Sequence, residues 1–227
     1  MPATQHTAVG IDGCRGGWIA AIRRPDGSMD WLLEARIADI LEQLPKTSTV
    51  LVDMIIGLPD ATRPDRECDR LARKILSPHG SRVFPAPPRE AIAAGDYPEA
   101  CKLARAATGK AISKQCWYLF PKIRELDELS DPRVRESHPE VVFARYNDGR
   151  PIAASKKCPD GEATRLNRLN QQREGVTASY TEAIQHYRRK VLARDDAIDA
   201  LALCLAAESP DALTALRAGP GAPEIWY

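Results

Sequence analysis

The segment Thr7-Ala8-Val9-Gly10-Ile11-Asp12 is a short apolar run that closes on a carboxylate. A second run, Thr49-Val50-Leu51-Val52-Asp53-Met54-Ile55-Ile56, is rich in β-branched residues and carries another carboxylate near its end. Between them lie apolar runs at residues 18–22 and 29–35, divided by the turn-forming Pro25-Asp26-Gly27. Ile37, Ile40, Leu41 and Leu44 then follow at helical spacing. The order is therefore strand, strand, strand, helix, strand. In the sheet proposed for this order, the first and fourth strands would be parallel neighbours, whose C-terminal ends bring Asp12 and Asp53 together.

Beyond the fourth strand, residues 57–135 form a Pro- and Arg-rich region, with helices expected at 66–76, 97–108 and 111–127 and a stiff loop Val83-Phe84-Pro85-Ala86-Pro87-Pro88-Arg89. A short strand is expected at 134–142, ending in His138-Pro139-Glu140. After Gly161 the pattern is helical, down to Asp195-Asp196-Ala197-Ile198-Asp199-Ala200-Leu201. No repeat, low-complexity tract or linker divides the chain. The expected organisation is one domain over residues 1–227, with a helical insertion at about 57–135 that shapes the substrate site.

No apolar run reaches the length of a membrane span, and residues 1–7 lack the basic-then-apolar order of a secretory leader, so a cytoplasmic location is expected. Cys14, Cys68, Cys101, Cys116, Cys158 and Cys204 are scattered without a Cys-x-x-Cys pair, which predicts reduced thiols rather than zinc ligands or disulfides. The net charge of +1 by itself argues neither for nor against nucleic acid, but residues 145–194 hold eleven Lys/Arg against five Asp/Glu. That local excess suits contact with phosphates and equally suits a solvated helical surface.

Carboxylates gathered from several elements repel one another unless they are protonated or bridged by cations, so this pattern implies Mg²⁺ or Mn²⁺. Two such ions about 4 Å apart can activate water and stabilise a leaving oxygen in phosphodiester cleavage. Asp196 and Asp199, three apart on a helix, share a face. Aspartate is also favoured at helix N-termini through capping and the macrodipole, the reading preferred for Asp195. Asp12 before Gly13 could be a turn residue, Gly16-Gly17 a bulge, and His138 either a buried hydrogen-bonded ring or a ligand. By pattern alone, Lys122 and Lys156-Lys157 read as solvated lysines, and Trp18, Trp31 and Trp117 as core rather than base-stacking residues.

The motif Gly10-Ile11-Asp12-Gly13-Cys14-Arg15-Gly16-Gly17-Trp18 resembles the opening of the domain-of-unknown-function family 429, described as predicted RNase H-like nucleases. The resemblance continues through Asp53-Met54-Ile55-Ile56-Gly57-Leu58-Pro59, Arg66-Glu67-Cys68-Asp69 with Ala72-Arg73, and Val83 to Arg89. It then takes in Gln115, Pro121-Lys122-Ile123, Glu125-Leu126-Asp127, Glu136-Ser137-His138-Pro139-Glu140, Ser155-Lys156-Lys157 and residues 195–200. Ile55 stands where the family usually has Pro. The resemblance implies a ribonuclease H-like α/β fold: a mixed five-stranded sheet of order 3-2-1-4-5, flanked by helices, with the helical insertion after the fourth strand. Asp-Ala-x-Asp-Ala-Leu at 196–201 is also similar to the metal-binding helix of Holliday-junction resolvases. By these likenesses Asp12, Asp53, Asp196 and Asp199 would be the catalytic metal ligands, with Glu140 added from the His-Pro-Glu motif.

The leading expectation is a phosphodiester hydrolase acting on DNA or RNA with Mg²⁺ or Mn²⁺, two ions in its acidic site, and Arg15, Lys122 and Lys156 as phosphate contacts. The alternatives are a hydrolase or binding protein for a nucleotide or small phosphate ester, and a non-catalytic nucleic-acid-binding module. An actin-like ATPase begins similarly but needs two such domains.

Overall fold

The structure is a computed structural model that describes residues 6–227; the first five residues, on which part of the no-leader expectation falls, lie outside the described residues. β1 (Ala8–Cys14), β2 (Gly17–Arg23) and β3 (Met29–Glu34) form an antiparallel meander. The hairpin between β1 and β2 closes tightly because Gly17 adopts φ +126°, and a Cβ there would lie 2.2 Å from the Glu34 carbonyl oxygen. After the short helix α1 (Ile37–Glu42), β4 (Thr49–Asp53) returns parallel to β1, with Asp12 opposite Asp53.

Four helices follow: α2 (Glu67–Ile75), α3 (Arg89–Ile92), α4 (Tyr97–Thr108) and α5 (Lys114–Glu128). β5 (Val134–Glu136) then adds parallel to β4. The five strands take the order β3-β2-β1-β4-β5 with mixed directions, the ribonuclease H-like sheet. The remaining helices are α6 (Pro139–Tyr146), α7 (Pro159–Gln172), α8 (Val176–His186) and α9 (Arg194–Ala207). A small hairpin of β6 (Ala215–Leu216) and β7 (Ile225–Trp226) was not anticipated. Its two-residue strands are too short to leave an alternating pattern.

Residues 139–146 are helical, not the continuation of a strand. Pro139 has the φ a first helical turn needs and no N–H to satisfy there, while His138, extended, accepts the Glu140 N–H through Nδ1 at 3.2 Å. The strand therefore stops at Glu136.

Strand alternation divides the core. Val9, Ile11, Val50 and Val52 face one layer, where α1 and α5 meet them with Ile37, Ile40, Cys116, Phe120 and Ile123. The region 57–135 thus supplies, through α5, one of the two layers that bury the sheet. Ala8 and Leu51 face the other layer, built on α9. Residues 197–207 of α9 are all buried, which accounts for its apolar sequence around the whole circumference. α9 approaches β1 so closely that a Cβ on Gly10 would lie 2.1 Å from the Ala200 carbonyl oxygen.

All six cysteines are free thiols. Trp18 is fully buried and donates Nε1–H to Glu125 at 3.0 Å, and Trp31 donates to Ser179 Oγ at 3.0 Å. Trp117 packs against Phe120, with ring centroids 4.9 Å apart. None of the described helices is long and apolar enough to cross a membrane.

Candidate metal centre

Asp12 follows Ala8 and Gly10 on the α9-facing side of β1, and Asp53 follows Leu51 on the same side of β4. Asp199 lies one residue before the Ala200 carbonyl that abuts Gly10. Alternation on two paired strands and a close helix approach therefore bring three carboxylates to one point. Oxygens of Asp12, Asp53 and Asp199 lie within 4.8 Å of one another, a set that could hold a metal ion.

Charge is the dominant fact of this cluster. Two like charges about 4 Å apart repel by about 4 kcal/mol at an effective dielectric of 20. Burial, then the charges of Asp53, Asp199 and Asp196, push the Asp12 carboxyl well above the usual range, against the opposing charge of Lys156. Burial raises Asp53, with His138 and Lys156 opposing. Asp199 is pushed up to about 7 by burial, even though it accepts a hydrogen bond from Lys156. Burial works against the charge of Lys156, but Asp199, Asp12 and Asp53 outweigh it and hold the ammonium above its ordinary value.

The donor set suits a hard divalent cation, being all carboxylate oxygen. One atom points to such a ligand: Asp199 Oδ1 is buried and has no hydrogen-bond partner, while Oδ2 accepts from Lys156 Nζ. An unpartnered carboxylate oxygen in a residue only 1% exposed is costly unless something positive meets it.

The other expected residues sit as follows. Asp196 faces the same cavity, but its Oδ2 accepts the Ala193 N–H at 3.1 Å, so Asp196 takes the capping contact expected of Asp195. The helix is capped at Ala193, two residues before the cap expected at Asp195, which puts Asp196 at the third helical position. Burial and the charge of Asp195 push Asp196 up to about 6, against the nearby Arg15. Glu140 also lines the cavity, yet both of its oxygens are engaged. Oε1 accepts from Arg165 Nε at 3.0 Å and Nη2 at 2.6 Å, and Oε2 from Arg82 Nη1 at 2.6 Å.

Lys156 is at the carboxylates, whereas Lys122 donates to the Gly17 carbonyl and lies 4.7 Å from the Trp18 ring centroid. Arg15 is exposed at the β1–β2 turn. His138 Nε2 faces the Arg82 carbonyl at 3.3 Å, so the ring is hydrogen-bonded on both sides.

Sequence reading missed the guanidinium network. Arg66 is buried and bonded to Asp69 at 2.9 Å, to the Ile56 carbonyl at 3.0 Å and to Glu136. With Arg82 and Arg165 it forms part of the wall of a cavity of about 460 Å³ that opens from the aspartates. Arg66 and Glu136 stand in motifs singled out in the sequence, but nothing local pairs residues so far apart. Met54, Ile55, Phe84 and Leu119 make the apolar part of the wall.

A family model described as protein of unknown function (DUF429) matches residues 10–223. The chain belongs to the DUF429 family. The match takes in every residue of the aspartate cluster of this DUF429 protein, together with Lys156 and both arginines that hold Glu140. Neither the curated proteins nor the solved structures compared with this DUF429 chain yield a match.

Proposed function

We propose that this DUF429 protein is a metal-dependent phosphodiester hydrolase acting on nucleic acid, with a divalent cation, Mg²⁺ or Mn²⁺, held by Asp12, Asp53 and Asp199. The observation that carries the reading is the unpartnered, buried Asp199 Oδ1 within a cluster of three carboxylates drawn from two strands and a helix. A ribonuclease H-like sheet supports it as analogy only, since a fold does not fix a reaction.

A divalent cation at this place would acidify a bound water and polarise a phosphoryl oxygen. The chain's own residues do the rest. The three aspartates fix the ion, and Lys156 offsets their charge. Exposed Lys157 stands on the cavity wall, within the space a phosphate would enter. In the overall reaction a water oxygen bonds to phosphorus, the bond to the leaving oxygen breaks, and a proton from the water ends on that oxygen.

Exposed basic groups on the turn that leads into α9 favour a polymer. Arg188, Arg189 and Lys190 are exposed in the turn before α9, and the Val191 carbonyl of that turn accepts the Gly16 N–H at 2.8 Å, next to exposed Arg15. A second reading, a nucleotide or small phosphate ester, is favoured by the cavity itself, whose size and apolar wall suit one small ligand.

The test is Mn²⁺ calorimetry followed by cleavage assays on labelled single-stranded DNA, RNA and nucleotides, at several salt concentrations. Metal binding with salt-sensitive polymer cleavage supports the proposal, and salt-insensitive turnover of nucleotides selects the second reading. Absence of metal binding together with absence of cleavage would sink both.

A further inference from the structure

We infer that Lys156 occupies the place of a second ion, so that the site holds one divalent cation and one ammonium rather than a pair of metals. The inference rests on the metal reading above and sharpens it.

The first ground is where the free carboxylate oxygens are. A second ion needs ligands of its own next to the first. Both Glu140 oxygens are taken by Arg82 and Arg165, and Asp196 Oδ2 is taken by the Ala193 N–H. Asp199 Oδ2 and Asp195, one turn apart on α9, bracket the place beside the first ion. Lys156 Nζ stands there, bonded to Asp199 Oδ2 and 3.8 Å from Asp195 Oδ2.

The second ground is charge. Asp12, Asp53 and Asp199 carry three negative charges when ionised, which one divalent cation and one ammonium neutralise. A second divalent ion would have to share these carboxylates with the ammonium already seated on them.

The third ground is that the chain delivers Lys156 on a fastened loop. The Ala153 carbonyl accepts from Arg82 at 3.1 Å and the Ala154 carbonyl from Arg165 at 3.0 Å. The Ser155 carbonyl accepts the Cys158 N–H at 3.1 Å. It presses so closely on Gly161 that a Cβ there would lie 1.9 Å away. A solvated surface lysine has no need of such anchoring. Here it fixes the backbone from which the ammonium reaches Asp199.

The experiment is Mn²⁺ stoichiometry, by calorimetry and electron paramagnetic resonance, on the full chain and on Lys156→Met and Lys156→Arg. The expected result is one ion per native chain and per Lys156→Arg chain, with no exchange-coupled signal. Lys156→Met should bind its first ion at least about tenfold more tightly, having lost a competing charge, and take up a second ion with an exchange-coupled signal. Two ions on the native chain, or a Lys156→Met variant with native stoichiometry and affinity, overturns the inference and leaves the proposed function standing. No ion on any of the three proteins overturns the metal reading itself, and this inference with it. If Lys156→Met fails to fold, the native stoichiometry still decides.

Discussion

Gly10 and Ala200 touch backbone to backbone, so closely that the 2.1 Å gap from a Gly10 Cβ to the Ala200 carbonyl oxygen admits no side chain. The contact sets how far α9 lies from β1, and so how far Asp199 lies from Asp12. Gly10→Ala is expected to destabilise the protein by about 1–3 kcal/mol, the usual cost of overpacking. It should also weaken Mn²⁺ binding, since the helix must move outward. Urea denaturation and calorimetry on the same sample check this; a stability loss with unchanged Mn²⁺ affinity would show that the spacing does not govern the site.

Asp12→Asn, Asp53→Asn and Asp199→Asn each remove a charge from the cluster while keeping its shape. Each should weaken Mn²⁺ binding by more than about 100-fold, beyond the loss usual for residues that merely support a ligand. Glu140→Gln, by contrast, should act mainly on stability, because both of its oxygens already hold arginines. A Glu140→Gln variant that folds normally yet binds no metal would return Glu140 to the ligand set.

The metal-free protein should lose stability as pH rises. A carboxyl such as Asp199, held near 7 when folded and near 3.8 when unfolded, binds more protons in the folded state between these values. Its contribution is complete below about pH 4 and is lost as pH climbs through about 7. Cation binding should run the other way, tightening over the same window and releasing protons, because the ligand form is the carboxylate. Thermal melts with and without Mn²⁺ from pH 4.5 to 8 in about half-unit steps test both signs. The gap between the two curves should widen with pH.

Arg165 is 1% exposed and holds one side of Glu140. Arg165→Met should cost about 3–5 kcal/mol, the usual result of breaking a buried pair by removing one partner. Replacing Glu140 as well, by Leu, should recover part of that loss. Chemical denaturation of the single and double variants measures the coupling.

Should the substrate be a polymer, the exposed turn before α9 carries part of its grip. Arg188→Gln with Arg189→Gln should weaken binding of DNA or RNA and lower the slope of log affinity against log salt by about one per lost phosphate contact. Nucleotide binding should be untouched. For a nucleotide substrate, Phe84→Ala in the cavity wall should have the larger effect.

The first four strands were legible because their signals are local, whereas the five-strand order was implied by the resemblance. Apolar runs, a turn triplet and a helical stripe name the elements in order, and a crossover makes the fourth strand parallel to the first, but its place beside the first came with the proposed sheet. Asp12 and Asp53 were legible for the same reason. Asp199 needed the resemblance, since an aspartate near a helix start reads equally well as a cap. The division of labour between Asp195 and Asp196 was not legible, because it turns on whether the helix is capped at residue 193 or at residue 195. The pairings of Arg66 with Glu136 and of Arg165 with Glu140 span 70 and 25 residues, and no periodicity in a sequence reports such contacts. The helix α5 was read within a helical insertion at about 57–135, and its part in covering the sheet was not legible: its apolar spacing shows a buried face but not what buries it.

Glu140 fastens more than itself. Through Arg82 it grips the segment that carries Phe84, and through Arg165 the segment that carries Lys156. Two sides of the cavity are thus riveted to a single carboxylate, and neither can swing outward alone. Moving either side outward would leave a buried carboxylate short of a partner.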